Sequence, residues 1–276
     1  MRKPIVTLTT DFGLRDHYVS AMKGVILGIC PPAQIVDISH EVTPFQISEG
    51  AYLLAQAYSC FPPKAVHLAV VDPGVGTARR PILVEAAGQY FVAPDNGVLA
   101  MVYAAEPHKA RAISNQRYFR QPVSRTFHGR DIFAPVAAHL SRGVPIQKLG
   151  PALRDFVRLD WPEPRMRRGG LEGEVVYIDR FGNAITNLEG RMLEGSGRAS
   201  CEVHRKRRRN CPLKTFYQVV PPKRPVALVG SSGFLEIAVN GGSAEKILSL
   251  RIGTRVVLRA QIVSRMPREG KRPREP

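Results

Sequence analysis

Between Ile5 and Leu140 the apolar residues change their spacing repeatedly, from short unbroken runs to helical stripes, and each change marks an element. Ile5 to Thr9 predicts a short buried strand that ends in Thr10, Asp11, Phe12 and Gly13. Asp16 then reads as a helix cap, with Tyr18, Met22, Val25 and Ile26 on one helical face and Pro31-Pro32 as the stop. The alternation repeats: Gln34 to Ile38 as strand, Ile47, Ala51, Leu54 and Tyr58 as a helix stripe, Pro62-Pro63 as a break, and Val66 to Val71 as an apolar strand. Ile82 to Ala86 and Tyr90 to Val92 predict a hairpin over Gly88, and Asp131 to Leu140 a helix whose Pro135 is tolerated near its first turn. Such β-α-β alternation predicts an α/β fold with a central, mostly parallel sheet under helices.

From Gly169 the texture changes. Leu171 to Ile178, Ala184 to Asn187, Pro225 to Val229, Phe234 to Val239 and Val256 to Val263 are short β-type segments between Gly and Asn turns, with little helical periodicity. They predict a second, β-barrel-like domain. The expected organisation is therefore an α/β domain over 1–165, a β domain over 166–263 and a basic tail over 264–276, with the Pro-rich stretch Trp161 to Gly170 as linker.

Composition changes this picture in one respect. The chain has 276 residues, 44% of them hydrophobic and 23% charged, which excludes disordered, collagenous and membrane classes. Its 40 Lys+Arg against 23 Asp+Glu leave a net charge of +17, which raises a polyanion as partner. The excess gathers late, in Arg205 to Arg209 and in the tail Arg265 to Arg274, without the aromatic interleaving that stacks bases, so nucleic acid is not expected. No apolar run is long enough for a bilayer, and Thr9, Thr10 and Asp11 interrupt any signal-peptide core, so a cytoplasmic protein with no membrane partner is expected. Cys30, Cys60, Cys201 and Cys211 lack metal or disulfide spacing and read as reduced thiols.

Ligands of open α/β sheets collect beyond the carboxyl ends of strands, which singles out Asp11, Asp72 and the pair Asp95-Asn96. Each is also an ordinary turn residue. Gly74-x-Gly76 lacks the third glycine of a dinucleotide fingerprint. His128 precedes a helix, whose positive end disfavours imidazolium and leaves a neutral ring suited to act as a base.

Six segments then occur in one order: Leu8-Thr9-Thr10-Asp11-Phe12-Gly13, Val71 to Thr77 with Arg79-Arg80, Ala93-Pro94-Asp95-Asn96-Gly97, Phe127 to Phe133, Tyr177 to Asn183, and Ser231 to Ala238. Together they resemble the S-adenosylmethionine hydroxide adenosyltransferase family, relatives of the bacterial fluorinase and chlorinase. The resemblance spans Pro4 to Val263, apart from Gly195 to Pro222. It implies a homotrimer with sites between subunits, and hydrolysis of S-adenosyl-L-methionine to adenosine and L-methionine with no metal or other cofactor.

By the same resemblance Asp72, Arg79 and His128 handle the attacking water, Arg79 being matched by its offset from Asp72 with Arg80 as the alternative. Asp11 and Asp95-Asn96 are substrate holders, Asp11 toward the ribose hydroxyls. Asp179 and Asn183 are implied at the methionine ammonium and carboxylate, with Phe181 as an apolar wall, and Ser231, Asn240 and Gly241 near adenine and carboxylate. The rival chemistry is attack by chloride or fluoride, against which Asp72 and the short Ile82 to Val92 hairpin both argue. A basic nucleic-acid-binding protein retaining the fold is the rival from another class.

Overall fold

The computed structural model describes residues 3–168, 170–193, 199–204 and 208–260, and the chain divides into two compact units at Trp161/Pro162. In the first, β1 (Ile5–Thr10), α1 (Tyr18–Ile29), β2 (Gln34–Ser39), α2 (Ile47–Ala57) and β3 (Val66–Val70) follow in turn. They lead to β4 (Pro81–Ala86), β5 (Gln89–Pro94), α3 (Ala100–Ala105), β6 (His108–Ala112), α4 (Ala134–Ser141) and β7 (Ala152–Leu153). The seven strands lie in the order β2-β1-β3-β5-β4-β6-β7.

The α/β class holds, and the parallel character belongs to the β2-β1-β3-β5 half. The other half is antiparallel. Its origin is the predicted hairpin: Ala87 and Gly88 both adopt positive φ, 51° and 69°, the tight turn that reverses β4 into β5. On one face of β1 and β3, Val6, Leu8 and Leu68 pack against Met22 and Ile26 of α1 and against Phe133 and Ala137 at α4. On the other face Ala69, Ile82, Val84 and Phe91 meet Leu54 of α2 and Val102 of α3. Burying strands on both sides is what makes their sequences unbroken apolar runs rather than alternating ones.

Two details of α1 differ from the sequence expectation. Asp16 is not its cap; His17 occupies that position and makes no side-chain cap bond. Tyr18 is 40% exposed rather than in the core stripe, which Val19, Met22 and Ile26 form. Ring packing orients the helix entry instead, with Tyr18 at 5.1 Å from Phe127 and 5.8 Å from Phe12 between ring centres.

The second unit is a barrel-like sheet of β8 (Arg165–Arg167), β9 (Gly170–Ile178), β10 (Ala184–Glu189), β11 (Ala199–His204) and β12 (Arg208–Pro212) with three later strands. These are β13 (Pro225–Val229), β14 (Phe234–Val239) and, after the short helix α5 (Ala244–Leu248), β15 (Arg255–Ala260). The order is β12-β11-β15-β9-β10-β14-β13, antiparallel throughout, with β8 added beside β9. Leu213, just past β12, bridges Ala227 of β13, so the two end strands nearly close the sheet around Val175, Leu188, Cys201, Leu235 and Val256. The stretch read as linker carries β8, and Gly195 to Pro222 contributes β11 and β12. Cys201 faces Cys211 across that pair, and all four cysteines are free thiols. Residues 205–207, the tail and 261–263 of the last expected strand lie outside the described residues. Among the described residues no helix is long and apolar enough to cross a membrane.

A buried histidine is built into the first sheet. His67 of β3 accepts from Thr7 Oγ1 at Nδ1 (2.8 Å) and donates from Nε2 to Gln89 Oε1 (3.2 Å). The Gln89 amide in turn donates to the Phe61 carbonyl at 2.7 Å. Burial pushes the His67 pKa down from 6.5 to about 4. Over that window the unfolded chain binds the proton and the folded one does not, so stability falls as pH drops. From pH 6.5 to about 4 the expected loss is about 3 kcal/mol. Urea unfolding followed across this range should show that slope, and it should flatten in His67→Gln.

Candidate active site

At the carboxyl ends of β1 and β3 the first unit brings Asp11, Asp72, Arg79 and His128 into one neighbourhood. Asp72 leaves β3 into a tight loop in which Thr77 Oγ1 donates to the Gly74 carbonyl (2.7 Å) and accepts from the Arg79 amide (3.3 Å). Gly76 has φ +78°, and a Cβ there would stand 2.4 Å from the Arg125 carbonyl oxygen, so the loop seats against the segment leading to His128 only because the residue is glycine.

That loop turns Arg79 inward. Its Nε donates to Asp72 Oδ1 at 2.9 Å and its Nη2 to Asp72 Oδ2, a bidentate pair with side chains 9% and 5% exposed. Nη2 also points at His128 Nδ1, 2.8 Å away, and Phe133 lies under the guanidinium at 5.2 Å. A guanidinium has donors and no acceptor, so Nδ1 must be the lone-pair nitrogen, and the neutral ring carries its proton on Nε2. With Nδ1 engaged by Arg79, the group the neutral ring has left to offer is the Nε2–H donor. Burial, first, and the neighbouring Arg79 charge hold the His128 pKa below its ordinary 6.5. Arg79 Nη1 is buried and has no hydrogen-bond partner among the described residues.

His128 is fixed from its C-terminal side. Gly129–Phe133 forms a wide π-type turn running into α4. Within it the fully buried Asp131 accepts from Arg130 Nε (2.7 Å), Arg120 Nη1 (3.3 Å) and the Ser124 amide (2.8 Å). Asp11 stands across from Asp72 and accepts from the Phe45 amide at 2.9 Å, and burial, then the Asp72 charge, keep its pKa above the usual value. Buried His40 steadies this corner: its carbonyl accepts from the Gly13 amide (2.7 Å) and its Nδ1 bonds Thr10 Oγ1 (2.8 Å).

Asp95 and Asn96, the other candidates of the first unit, are engaged by their neighbours. Asp95 is buried and paired with Arg80, Nη2 to Oδ2 at 2.9 Å, and accepts from the Val157 amide. Of the two adjacent arginines, Arg79 is the one paired with Asp72, while Arg80 is engaged by Asp95 and the Asp155 carbonyl. Asn96 donates to the Val71 carbonyl and accepts from Val98, tying the turn after β5 to the end of β3.

In the second unit, Asp179 accepts from the amides of Phe181 (2.9 Å) and Asn183 (2.8 Å) and from Asn183 Nδ2 (3.0 Å), forming one loop. Phe181 is 78% exposed at its tip. Ser231 is exposed between β13 and β14, while Asn240 Nδ2 donates to the Val220 carbonyl and the Gly241 carbonyl accepts from Lys223. Glu236 and Tyr217 were not singled out from sequence. Tyr217 donates to Glu236 at 2.8 Å; burial, then Asp179, raises the Glu236 pKa, and burial with that hydrogen bond pushes Tyr217 up to about 12. The available signal was an acid inside the apolar strand Phe234-Leu235-Glu236-Ile237.

Comparison with known proteins bears on both units. Residues 6–150 match the model of the SAM hydroxide adenosyltransferase N-terminal domain, and residues 173–257 that of the C-terminal domain. The chain is 41% identical over 257 residues to the (R)-S-adenosyl-L-methionine hydrolase of Salinispora tropica, covering 92% of this chain and 97% of that protein. It is 30% identical over 289 residues to a fluorinase of an Actinoplanes species, covering 92% and 97%. Among solved structures, an uncharacterised conserved protein of Thermotoga maritima superposes with a TM-score of 0.85 at 39% identity, covering 92% of this chain and 99% of that one.

Because Asp131 organises the turn that carries His128, Asp131→Ala should destabilise the fold by about 2 to 3 kcal/mol, less than for a fully buried pair since Arg120 and Arg130 reach solvent. Asp155→Ala, at a carboxylate 85% exposed, should cost less than about 0.5 kcal/mol. Urea denaturation of both variants makes the comparison.

Proposed function

Since the chain belongs to the SAM hydroxide adenosyltransferase family, we infer that it is an enzyme hydrolysing S-adenosyl-L-methionine to adenosine and L-methionine. The oxygen of water attacks ribose C5′ while the C5′–S bond breaks, its electron pair going to sulfur. The sulfonium thereby becomes the neutral thioether of methionine, and one proton is released. A sulfonium already leaves as a neutral group, so no acid is needed at sulfur and no further cofactor enters the reading. The task left to the protein is to hold one water in line and to stabilise the charge it develops.

The observation that carries this reading is the guanidinium of Arg79, which grips Asp72 with two donors and reaches His128 with one of them. We assign Asp72 as the proton acceptor, because its carboxylate oxygens have lone pairs beyond those facing Arg79. His128 Nε2–H and Arg79 Nη1 are the donors to the attacking oxygen. As negative charge grows on that oxygen and positive charge fades on sulfur, a dry pocket favours the transition state over separated charges. Asp11 is read as the ribose holder, and Asp179, Phe181, Asn183 and Ser231 as contacts of the methionine and adenine portions. Asp95, Asn96 and Asn240 are read as supports of the loops around them.

The same reading has the chain as a cytoplasmic homotrimer whose sites involve neighbouring copies. What supports an oligomer is uncovered apolar surface beside the proposed contacts: Leu14 and Phe45 near Asp11 are each 68% exposed and Phe181 is 78% exposed.

Incubation with S-adenosyl-L-methionine followed by chromatography should yield adenosine and methionine, with no halogenated adenosine when chloride or fluoride is added. Asp72→Asn, Arg79→Lys and His128→Ala should each lower kcat by about 10² to 10⁴, with a smaller change in KM; undiminished release by any of them removes that residue from the mechanism. Protonating His128 would set two cations against each other at Nδ1. The rate should therefore be level near neutrality and fall on an acid limb centred below pH 6.5, following the lowered pKa. A limb centred above that value in a pH–rate profile would contradict the assignment.

A further inference from the structure

The end of the first sheet opposite to Asp11 and Asp72 carries two adjoining cavities of about 510 and 940 Å³. They share Glu85, Ile146 and Gln147 and so form one continuous groove. Its floor is the row of strand ends at Ile5 of β1, Ala65 before β3, Tyr90 of β5, Glu85 of β4 and Lys109 of β6. Four inter-strand steps make it roughly 19 Å long.

The lining is strongly one-signed. Lys3, Lys64 and Arg142 line one half, and Lys109, Arg111, Arg154 and Arg158 the other, among the described residues seven cations against the single carboxylate of Glu85. Arg142 sits at the C-terminal end of α4, where a cation answers the helix dipole. The other six have no such explanation, and among the described residues none of the seven is in an ion pair. Arg111 donates to the Gly150 carbonyl (3.0 Å), and Arg158 lies over Phe156 at 5.2 Å, which spreads these side chains along the wall. Along the strap after β7, Arg154, Phe156 and Arg158 line the groove, while the Val157 amide and Asp155 are turned to Asp95 and Arg80.

Like charges held this close repel one another, and a chain of anions threaded between them relieves that repulsion and releases its own counterions. We propose that this groove binds a linear chain of phosphate groups, through its backbone charge and without reading bases. The chemistry is shared by inorganic polyphosphate and by single-stranded nucleic acid. It differs from the partner that Arg205 to Arg209 and the tail suggested, because the cations that line it belong to the first unit.

The test uses the full-length chain, with labelled oligothymidylate as one probe and inorganic polyphosphate as the other, followed by anisotropy and competition between about 50 and 200 mM salt. Binding is expected, with a log–log salt slope of about −3 for four neutralised phosphates on a single strand. Lys64→Gln/Lys109→Gln/Arg142→Gln/Arg154→Gln should weaken it at least tenfold and flatten the slope, while adenosine release from S-adenosyl-L-methionine stays at the wild-type rate. Arg154→Gln/Arg158→Gln, at two exposed positions, gives a smaller loss in the same direction if the fourfold variant does not fold. Binding of one probe alone identifies the source of the phosphates and upholds the groove. Failure of both probes to bind, or wild-type binding by the variants, overturns it.

Discussion

One guanidinium organises the candidate site. Arg79 holds the Asp72 carboxylate in two-pronged contact, keeps the His128 ring in a single tautomer and rests on the face of Phe133. Removing any one of these leaves a nearly buried cation short of a partner, which is costly in a low-dielectric interior. The surrounding structure can be understood as what is required to keep that cation where it is: the glycine-dependent loop before it, the wide turn carrying His128, and the carboxylate of Asp131 behind that turn.

Division of labour along the strands follows from the same geometry. At their carboxyl ends, short loops bring acids, an arginine and a histidine together. At their opposite ends the loops place lysines and arginines along a groove with one carboxylate. A strongly positive net charge read only as a sum points to the two arginine-rich stretches late in the chain. The fold redistributes the question, because residues as distant in sequence as Lys3, Lys64 and Arg158 come to line one groove.

Most strands and the larger helices of the first unit were legible because double-sided burial writes itself as unbroken apolar runs. The Ala87-Gly88 turn was legible because Gly88 supplies a positive φ. Less legible was whatever depends on a distant partner. Nothing local distinguishes Arg79 from Arg80; the difference is that one finds Asp72 and the other Asp95. Asp95 and Asn96 look like ligand residues at a strand end, yet their oxygens and amide are taken by Arg80, Val157 and Val71. The tautomer of His128 depends on a side chain 49 residues away. β11 and β12 were not legible because polar and charged residues such as Glu202, Arg208, Arg209 and Asn210 alternate with few apolar ones, Cys201, Val203 and Cys211 being the buried ones among the described side chains.

Gly76 draws the boundary of what this scaffold can become. With the Arg125 carbonyl 2.4 Å from where a Cβ would be and φ at +78°, a side chain at this turn would force the loop and the segment leading to His128 apart. Adaptation toward a different nucleophile therefore has to enter through the acid itself or through the neighbouring walls, never through the crown of that bend. A lineage exploring new chemistry on this frame would keep the bend frozen and vary around it.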